Sequence, residues 1–560
     1  MTFLALWNWL KPAHRQAAVG RRRQRRSDRT PRACFVPRLE ALEDRTLLST
    51  FTVLNLADSG PDSLRQAVLD ANAHPGPDTV RFAHGLHGTI TLTSGELAIT
   101  HSLDIEGPGA HQLTVSGNHA SRIFDISSGG GGTGGGARVT IAGLTMTDGL
   151  ANGNSPVLAS TGGGILNFGS LTLSSDILSN NQAVGDPSTS ALGRVGGAVG
   201  GGLANLGTLT IAGSAFTGNQ ALGADGSSGN SAGNAVGGAI FNSGTASITD
   251  SQFTFNVAQA GSNCSGNLCA SGSSGAIQNS ASLTVAGSTF SHNQAIGGND
   301  SSGPLRPGVG TGGAILSGGP TGPAATLVVR ASTFDHNQAI GGSGNQLVPA
   351  SPDDLSGPNE AFGGGLHISG GSATISECTV EHNSVVGGAG GAGQKGGLAW
   401  GGGIDFFNGF GNGLTASVSN SMISHNSVTG GAGGPGGEGG YAWGGGLANL
   451  LGATLTVRDT TVDHNRVVGG AGGAGGDGGD GQGGGIFEDA QSTLTLTGTT
   501  VEHNHAIGGA AGQGGSDGEG VGGGLYITPG GLASADVLTS VFANHATTSD
   551  DDVFGTLGLC

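Results

Sequence analysis

Residues 483–508 read GGGIFEDAQSTLTLTGTTVEHNHAIG. The stretch holds a glycine step, an apolar pair, an alternating run, an apolar residue three before an Asn, and a glycine exit. Variants of it return ten times, which points to one unit stacked on itself rather than a closed globule. Nine units align on Asn181, Asn219, Asn256, Asn293, Asn337, Asn383, Asn426, Asn465 and Asn504. Three residues before each stands Leu178, Phe216, Phe253, Phe290, Phe334, Val380, Ile423, Val462 or Val501. Eight before is Leu, Ile or Val, ten before is Leu or Ala, and a Thr, Ser or Val lies between. Apolar, polar, apolar is the period of a strand with one buried face.

Two residues after the Asn comes Ala or Val, and four after comes Gly in eight of the nine units. A GG[GA][IL] step opens each unit, with Ser274 replacing one glycine. Without its insert a unit spans about 24 residues, which suits three short strands and three corners. The expected fold is all-β: a single-stranded right-handed parallel β-helix. About 12–13 coils spaced by about 4.8 Å would form a rod roughly 60 Å long. Stacked Asn side chains can bond their neighbours and the local backbone, as aligned Asn ladders do wherever identical strands stack. The Asn column is therefore read as structural. Cys378 fills a column otherwise held by Ser, Thr or Asp, and reads as an inert, semi-buried thiol.

Composition agrees. Of 560 residues 116 are Gly, and only 11% are charged, which opposes a helical protein because glycine is costly inside helices. Residues 1–50 carry 11 Lys and Arg against 4 Asp and Glu, whereas the rest carries 10 against 35. An acidic body, in a chain whose only lysines are Lys11 and Lys395, argues against nucleic acid as a partner. No run of 18 apolar residues occurs, so no membrane-spanning helix is expected. Residues 1–50, with the Arg21–Arg26 cluster, read as a solvated, disordered leader; its apolar run precedes its basic one, unlike a standard signal peptide.

Four segments follow: this leader, an N-terminal cap with the first coils over 51–126, repeats over 127–549, and an acidic tail over 550–560. In the cap, Ser63 and Gln66 have capping-box spacing, and Leu64, Ala67, Val68 and Ala71 share one helical face. A helix there would cover the open end of a solenoid. In the last coil, placing Val537 in the inward column puts Phe542 and His545 where the apolar residue and the Asn belong.

Three resemblances accompany this reading. LEALEDRTLLS, residues 39–49, resembles the LEPR-x-LL motif near the N-termini of surface and exported proteins of planctomycete-type bacteria, lacking its Pro. Asp58-Ser59-Gly60, Ser63-Leu64-Arg65, Ala67 and Ala71-Asn72 resemble the opening of bacterial right-handed β-helix surface proteins. The GG[GA][IL] and F-x-x-N pair, over about residues 160–545, resembles the repeat of chlamydial polymorphic outer-membrane proteins. Together they imply surface display and adhesion, although that family's C-terminal membrane barrel has no counterpart here.

Two features stand out as candidate sites. His292, His336, His382, His425, His464 and His503 precede the Asn in six consecutive units, four of them after Asp335, Glu381, Asp463 or Glu502. Stacked imidazoles one coil apart can jointly ligate a transition metal and would gain charge together on acidification. The plainer reading, a solvated corner spread by duplication, is preferred, and no metal or cofactor is assigned. Four inserts of 14 residues, 387–400, 430–443, 469–482 and 508–521, run largely as Gly-Gly-X. They are read as flexible loops leaving one corner, with a packed polyproline-II-like flange as the alternative. Cys264 and Cys269 are close enough in sequence for a local disulfide.

The expected function is a non-catalytic extracellular or cell-surface scaffold, adhesin-like, binding polysaccharide, protein or matrix. The rival is a polysaccharide lyase or glycoside hydrolase. Those enzymes need clustered acids with a basic residue, and the acidic pair Asp353-Asp354 within the repeats has no basic column beside it.

Overall fold

The computed structural model describes residues 49–127, 136–155, 158–188, 190–191, 194–226, 232–264, 270–303, 308–319, 324–347, 358–411 and 413–560. The leader through residue 48, Asp353-Asp354 and Cys269 lie outside them; Cys264 is disulfide-bonded.

The opening stretch shows how one coil is built. Thr493–Thr497 joins sheet I, Thr500–Glu502 sheet II, and His505–Ile507 sheet III. After the insert, Gly520–Val521 joins sheet IV and Leu525–Ile527 sheet V. Among the described residues, sheets I to V contain 15, 13, 11, 9 and 13 strands, each paired with the equivalent strand one coil away. The chain is a right-handed parallel β-helix. Five strands per coil replace the three expected. Sheet V uses the apolar pair after the glycine step and sheet IV only two or three residues, runs too short to display a strand period.

The inward columns fill the rod. Phe216, Phe253, Phe290 and Phe334 are fully buried, with centroids 4.9, 4.7 and 4.9 Å apart down the stack. The first glycine of each GG[GA][IL] step sits in the left-handed region, as at Gly162 (φ 66°), where a side chain would be strained. Ser274 adopts this conformation (φ 65°), and its Oγ donates to the Ala314 carbonyl at 2.9 Å. At the second glycine, a Cβ on Gly163 would overlap the Gly201 carbonyl.

The asparagines are buried and satisfied. Asn256 Nδ2 donates to Asn293 Oδ1 and to the Phe216 carbonyl, both at 2.9 Å, while Asn256 Oδ1 accepts from the Nδ2 and backbone N–H of Asn219. All four bonding positions of the amide are thus used. A second ladder escaped the sequence reading: Asn167, Asn205, Asn242 and Asn279 in sheet V are linked at 2.7, 2.7 and 2.9 Å. Cys378 is 2% exposed, its Sγ donates to the Ser376 carbonyl, and burial pushes the thiol up.

Both ends are capped. The helix α1 (Leu64–Ala73) starts at Ser63, whose Oγ accepts from the Gln66 amide at 3.2 Å, and buries Leu64, Ala67, Val68 and Ala71. Strand pairing begins at Thr50, one residue inside the expected leader. At the other end the expected register is wrong. Val541 pairs with Val501, Asn544 accepts from Asn504 at 2.9 Å, and Val537 is 88% exposed. One extra residue in the corner 536–540 shifts the pattern, so the sequence anchor at Val537 was misplaced. Nor is 550–560 a tail: Val553–Phe554 and Leu557–Leu559 join sheets V and I, and Asp552 Oδ1 terminates the Asn ladder by accepting from Asn544.

The four inserts are ordered layers, correcting the preference for flexible loops. Gly390, Gly433 and Gly472 donate to Ala432, Ala471 and Ala510 of the next layer at 2.9, 2.8 and 2.9 Å. Each outgoing arm also bonds its own return arm, as Gly440 N–H to the Gly431 carbonyl at 2.8 Å. Every third amide faces the layer beside it, which is why the sequence repeats every three residues. A Cβ on Gly431, Gly470 or Gly509 would overlap the carbonyl of Gly388, Gly431 or Gly470. Glycine is what lets the layers close.

Candidate functional site

Among the described residues, two places on the rod stand out for chemistry beyond packing. The first is the corner between sheets II and III, where His292, His336, His382, His425, His464 and His503 stand in one column. Neighbouring rings lie 5.1, 4.9, 5.1, 5.0 and 4.9 Å apart. All six are left-handed, with φ between 52 and 56°. Asn180, Gly218, Phe255 and Ala543 occupy the same corner in other coils with the same backbone. His, like Asn, tolerates this conformation better than most residues. The backbone therefore restricts the column, without by itself selecting six histidines.

Acidic side chains enter this column at two places. Asp335 Oδ1 lies 2.6 Å from His336 Nδ1 and 3.5 Å from His382 Nδ1. Asp463 Oδ1 lies 2.7 Å from His464 Nδ1 and 3.4 Å from His503 Nδ1.

The second place is a cleft of about 370 Å³ at the foot of the glycine layers. It arises at the glycine bend between sheets IV and V. There Ala399 and Ala442 point inward, while Trp400 and Trp443, in register, face the bend. In sheet V, Phe487 and Tyr526 occupy the outward position between inward residues. Across the bend Trp443 stacks on Phe487 at 5.1 Å, and Phe487 on Tyr526 at 5.4 Å. Phe407, Leu450 and Leu451 extend the apolar lining, and Gln482, Asp489, Gln491 and Thr528 supply its polar part. Trp443 Nε1 and Thr528 Oγ1 are buried there without hydrogen-bond partners in the fold.

The wall of the cleft rests on buried carboxyl groups. Trp400 Nε1 donates to Asp405 Oδ2 at 3.1 Å, and His367 Nδ1 lies 2.6 Å from the same oxygen. Burial raises the Asp405 carboxyl, opposed by His367 and Trp400. Glu488, the residue after the outward Phe487, is buried inside the coil. Burial pushes it up to about 9, against the 2.8 Å hydrogen bond from Asn449 Nδ2.

Sequence reasoning missed this cleft, although composition held a signal. The chain has four Trp and two Tyr; leaving aside Trp7 and Trp9 in the leader, every one lines the cleft or stacks on its wall. In an open repeat pattern the outward positions look interchangeable, and only the bend brings sheets IV and V together.

Neither a protein-family model nor a curated protein matches the sequence. Solved structures do resemble the fold. The tailspike protein 3 of bacteriophage CBA120 is 14% identical over 87% of this chain and 63% of its own, with a TM-score of 0.34. The chain thus spans under two thirds of that protein. PfbA, a surface adhesin of Streptococcus pneumoniae, is 12% identical over 84% and 93%, with a TM-score of 0.29. A mannuronic acid specific polysaccharide family 6 lyase from human gut microbiota is 10% identical over 80% and 87%, with a TM-score of 0.30. Among the described residues, no helix is long and apolar enough to cross a membrane.

Proposed function

We propose that the protein is a non-catalytic, surface-displayed scaffold that holds an uncharged polysaccharide in the aromatic cleft. The observation that carries this reading is the pairing of an aromatic lining with two unpartnered polar groups, Trp443 Nε1 and Thr528 Oγ1. A sugar ring offers an apolar face and a rim of hydroxyls, and such a surface meets both. The cleft runs along the stacking direction over successive coils, so it suits an extended chain better than a compact ligand. Its charged lining is acidic, as is the body of the protein, which disfavours an anionic glycan. The N-terminal LEPR-like motif supports display at the surface.

A lyase or hydrolase reading has less behind it. Asp489 in the cleft is engaged by the amides of Leu451 and Gln491, and Glu360 is fully buried. A glycan array probed with the full chain tests the proposal. Binding to neutral polysaccharides, lost in Trp443→Ala, supports it. Binding unchanged by that substitution, absence of any glycan binding, or cleavage of the bound chain overturns it.

A further inference from the structure

We infer that the histidine corner carries two equivalent transition-metal sites, Asp335–His336–His382 and Asp463–His464–His503, each able to take one divalent ion such as zinc or copper. This corner lies between sheets II and III, away from the aromatic cleft, and the inference does not depend on glycan binding.

The two groups are copies of one arrangement. In each, the ligand atoms of two imidazoles and one carboxylate lie within 4.8 Å of one another. In each, the aspartate reaches between the rings of two successive coils. In each, the following coil brings a second carboxylate, with Glu381 Oε2 at 3.9 Å from His382 Nδ1 and Glu502 Oε2 at 3.7 Å from His503 Nδ1. Two nitrogens and one oxygen form a three-ligand set, to which the nearby glutamate can add a fourth oxygen, and zinc accepts such ligands at metal–ligand distances of about 2.0–2.2 Å. Imidazole with carboxylate favours zinc, copper or nickel over calcium, which prefers oxygen alone.

The scaffold supplies positioning. Asp335 pairs with Glu381 and Asp463 with Glu502 across adjacent strands, and the buried Asn ladder directly follows each histidine. The backbone is therefore fixed while the side chains remain free to converge: His336, His382, His464 and His503 are 51, 44, 49 and 47% exposed. The ligand atoms, within 4.8 Å of one another, must draw closer around an ion, and the exposed side chains can change rotamer to do so. The remaining histidines differ. His292 and His425 follow Ser291 and Ser424, so no carboxylate of their own coil accompanies them. The left-handed backbone explains why the column admits His, but not why acids enter it at two matching places.

The untagged full chain, stripped with chelator and titrated with zinc in a calorimeter, provides the test. Two ions per chain are expected. His336→Asn with His382→Asn should leave one, and adding His464→Asn with His503→Asn should leave none. Asn is chosen because Asn180 holds the same left-handed conformation at φ 53°, so these variants keep the fold; unchanged thermal melting verifies it. His425→Asn should still bind two. Zinc that produces no heat and leaves the histidine NMR signals unmoved overturns the inference. So does zinc binding that survives in the four-histidine variant, or a stoichiometry that changes with His425→Asn.

Discussion

Trp400 Nε1 and His367 Nδ1 converge on one oxygen of the fully buried Asp405, at 3.1 and 2.6 Å. The tryptophan is thereby anchored from beneath, and a buried carboxyl inside the wall fixes a ring of the cleft. Trp400→Phe keeps the stacking but deprives the carboxylate of a donor. A loss of about 1–3 kcal/mol in urea denaturation is expected, since a buried acceptor left short of partners carries its desolvation cost.

The Asn ladder should be cooperative along the rod. Asn293 donates to the Phe253 carbonyl and to Asn337, and accepts from Asn256. Asn293→Ala orphans groups in the coils on either side, so destabilisation by about 3 kcal/mol or more is expected. Asn544 should be more tolerant, because it is the terminal asparagine of the ladder and lies beside the edge. Comparing the denaturation midpoints of the two alanine variants checks this ranking.

Glu488 should make stability depend on pH. Its carboxyl is raised from 4.5 to about 9, so the folded chain retains a proton that the unfolded chain releases. The contribution is complete below about pH 4.5 and declines as pH rises through about 9. Glu488→Gln keeps the neutral shape and should remove that decline. At pH 7 the variant is expected to be more stable by up to about 3 kcal/mol, measured by denaturant melts across the pH range.

The glycine layers should exchange their amides slowly. Gly390, Gly433 and Gly472, whose N–H groups bond the next layer, are expected to be protected in hydrogen-exchange measurements. Gly431→Ala pushes a Cβ into the Gly388 carbonyl and should release protection in both adjoining layers. Ala432→Ser, at an X position, should leave it intact.

The left-handed histidine corner should discriminate by shape. At His425, φ is 55°. His425→Asn is expected to be near neutral, whereas His425→Val, with a branched Cβ in a left-handed turn, should cost about 1–2 kcal/mol in thermal unfolding.

Much of this architecture is readable from one unit of sequence. In 483–508, Leu494, Leu496 and Val501 mark an inward face and Asn504 marks a buried corner, because stacking repeats the same environment in every coil. The capping helix was legible for a different reason: Ser63 and its four apolar partners form a complete local pattern. The last coil was misread because one added residue between Ala535 and Val541 leaves composition unchanged while shifting every later column. The insert period of three was visible, but whether its amides find partners depends on where the next insert lies.

The candidate sites divide along the same line. By itself, the sequence determined the coil, its inward ladders and the column of histidines, since these follow from residue order and a constant spacing. Only the tertiary structure decided that Trp400, Trp443, Phe487 and Tyr526 share one cleft, because the glycine bend turns two outward faces toward each other. Only it placed Asp335 between two imidazoles that are 46 residues apart, and closed four glycine inserts into bonded layers. Contacts between coils depend on insert lengths and on corner angles, and neither is written in the repeat that generates them.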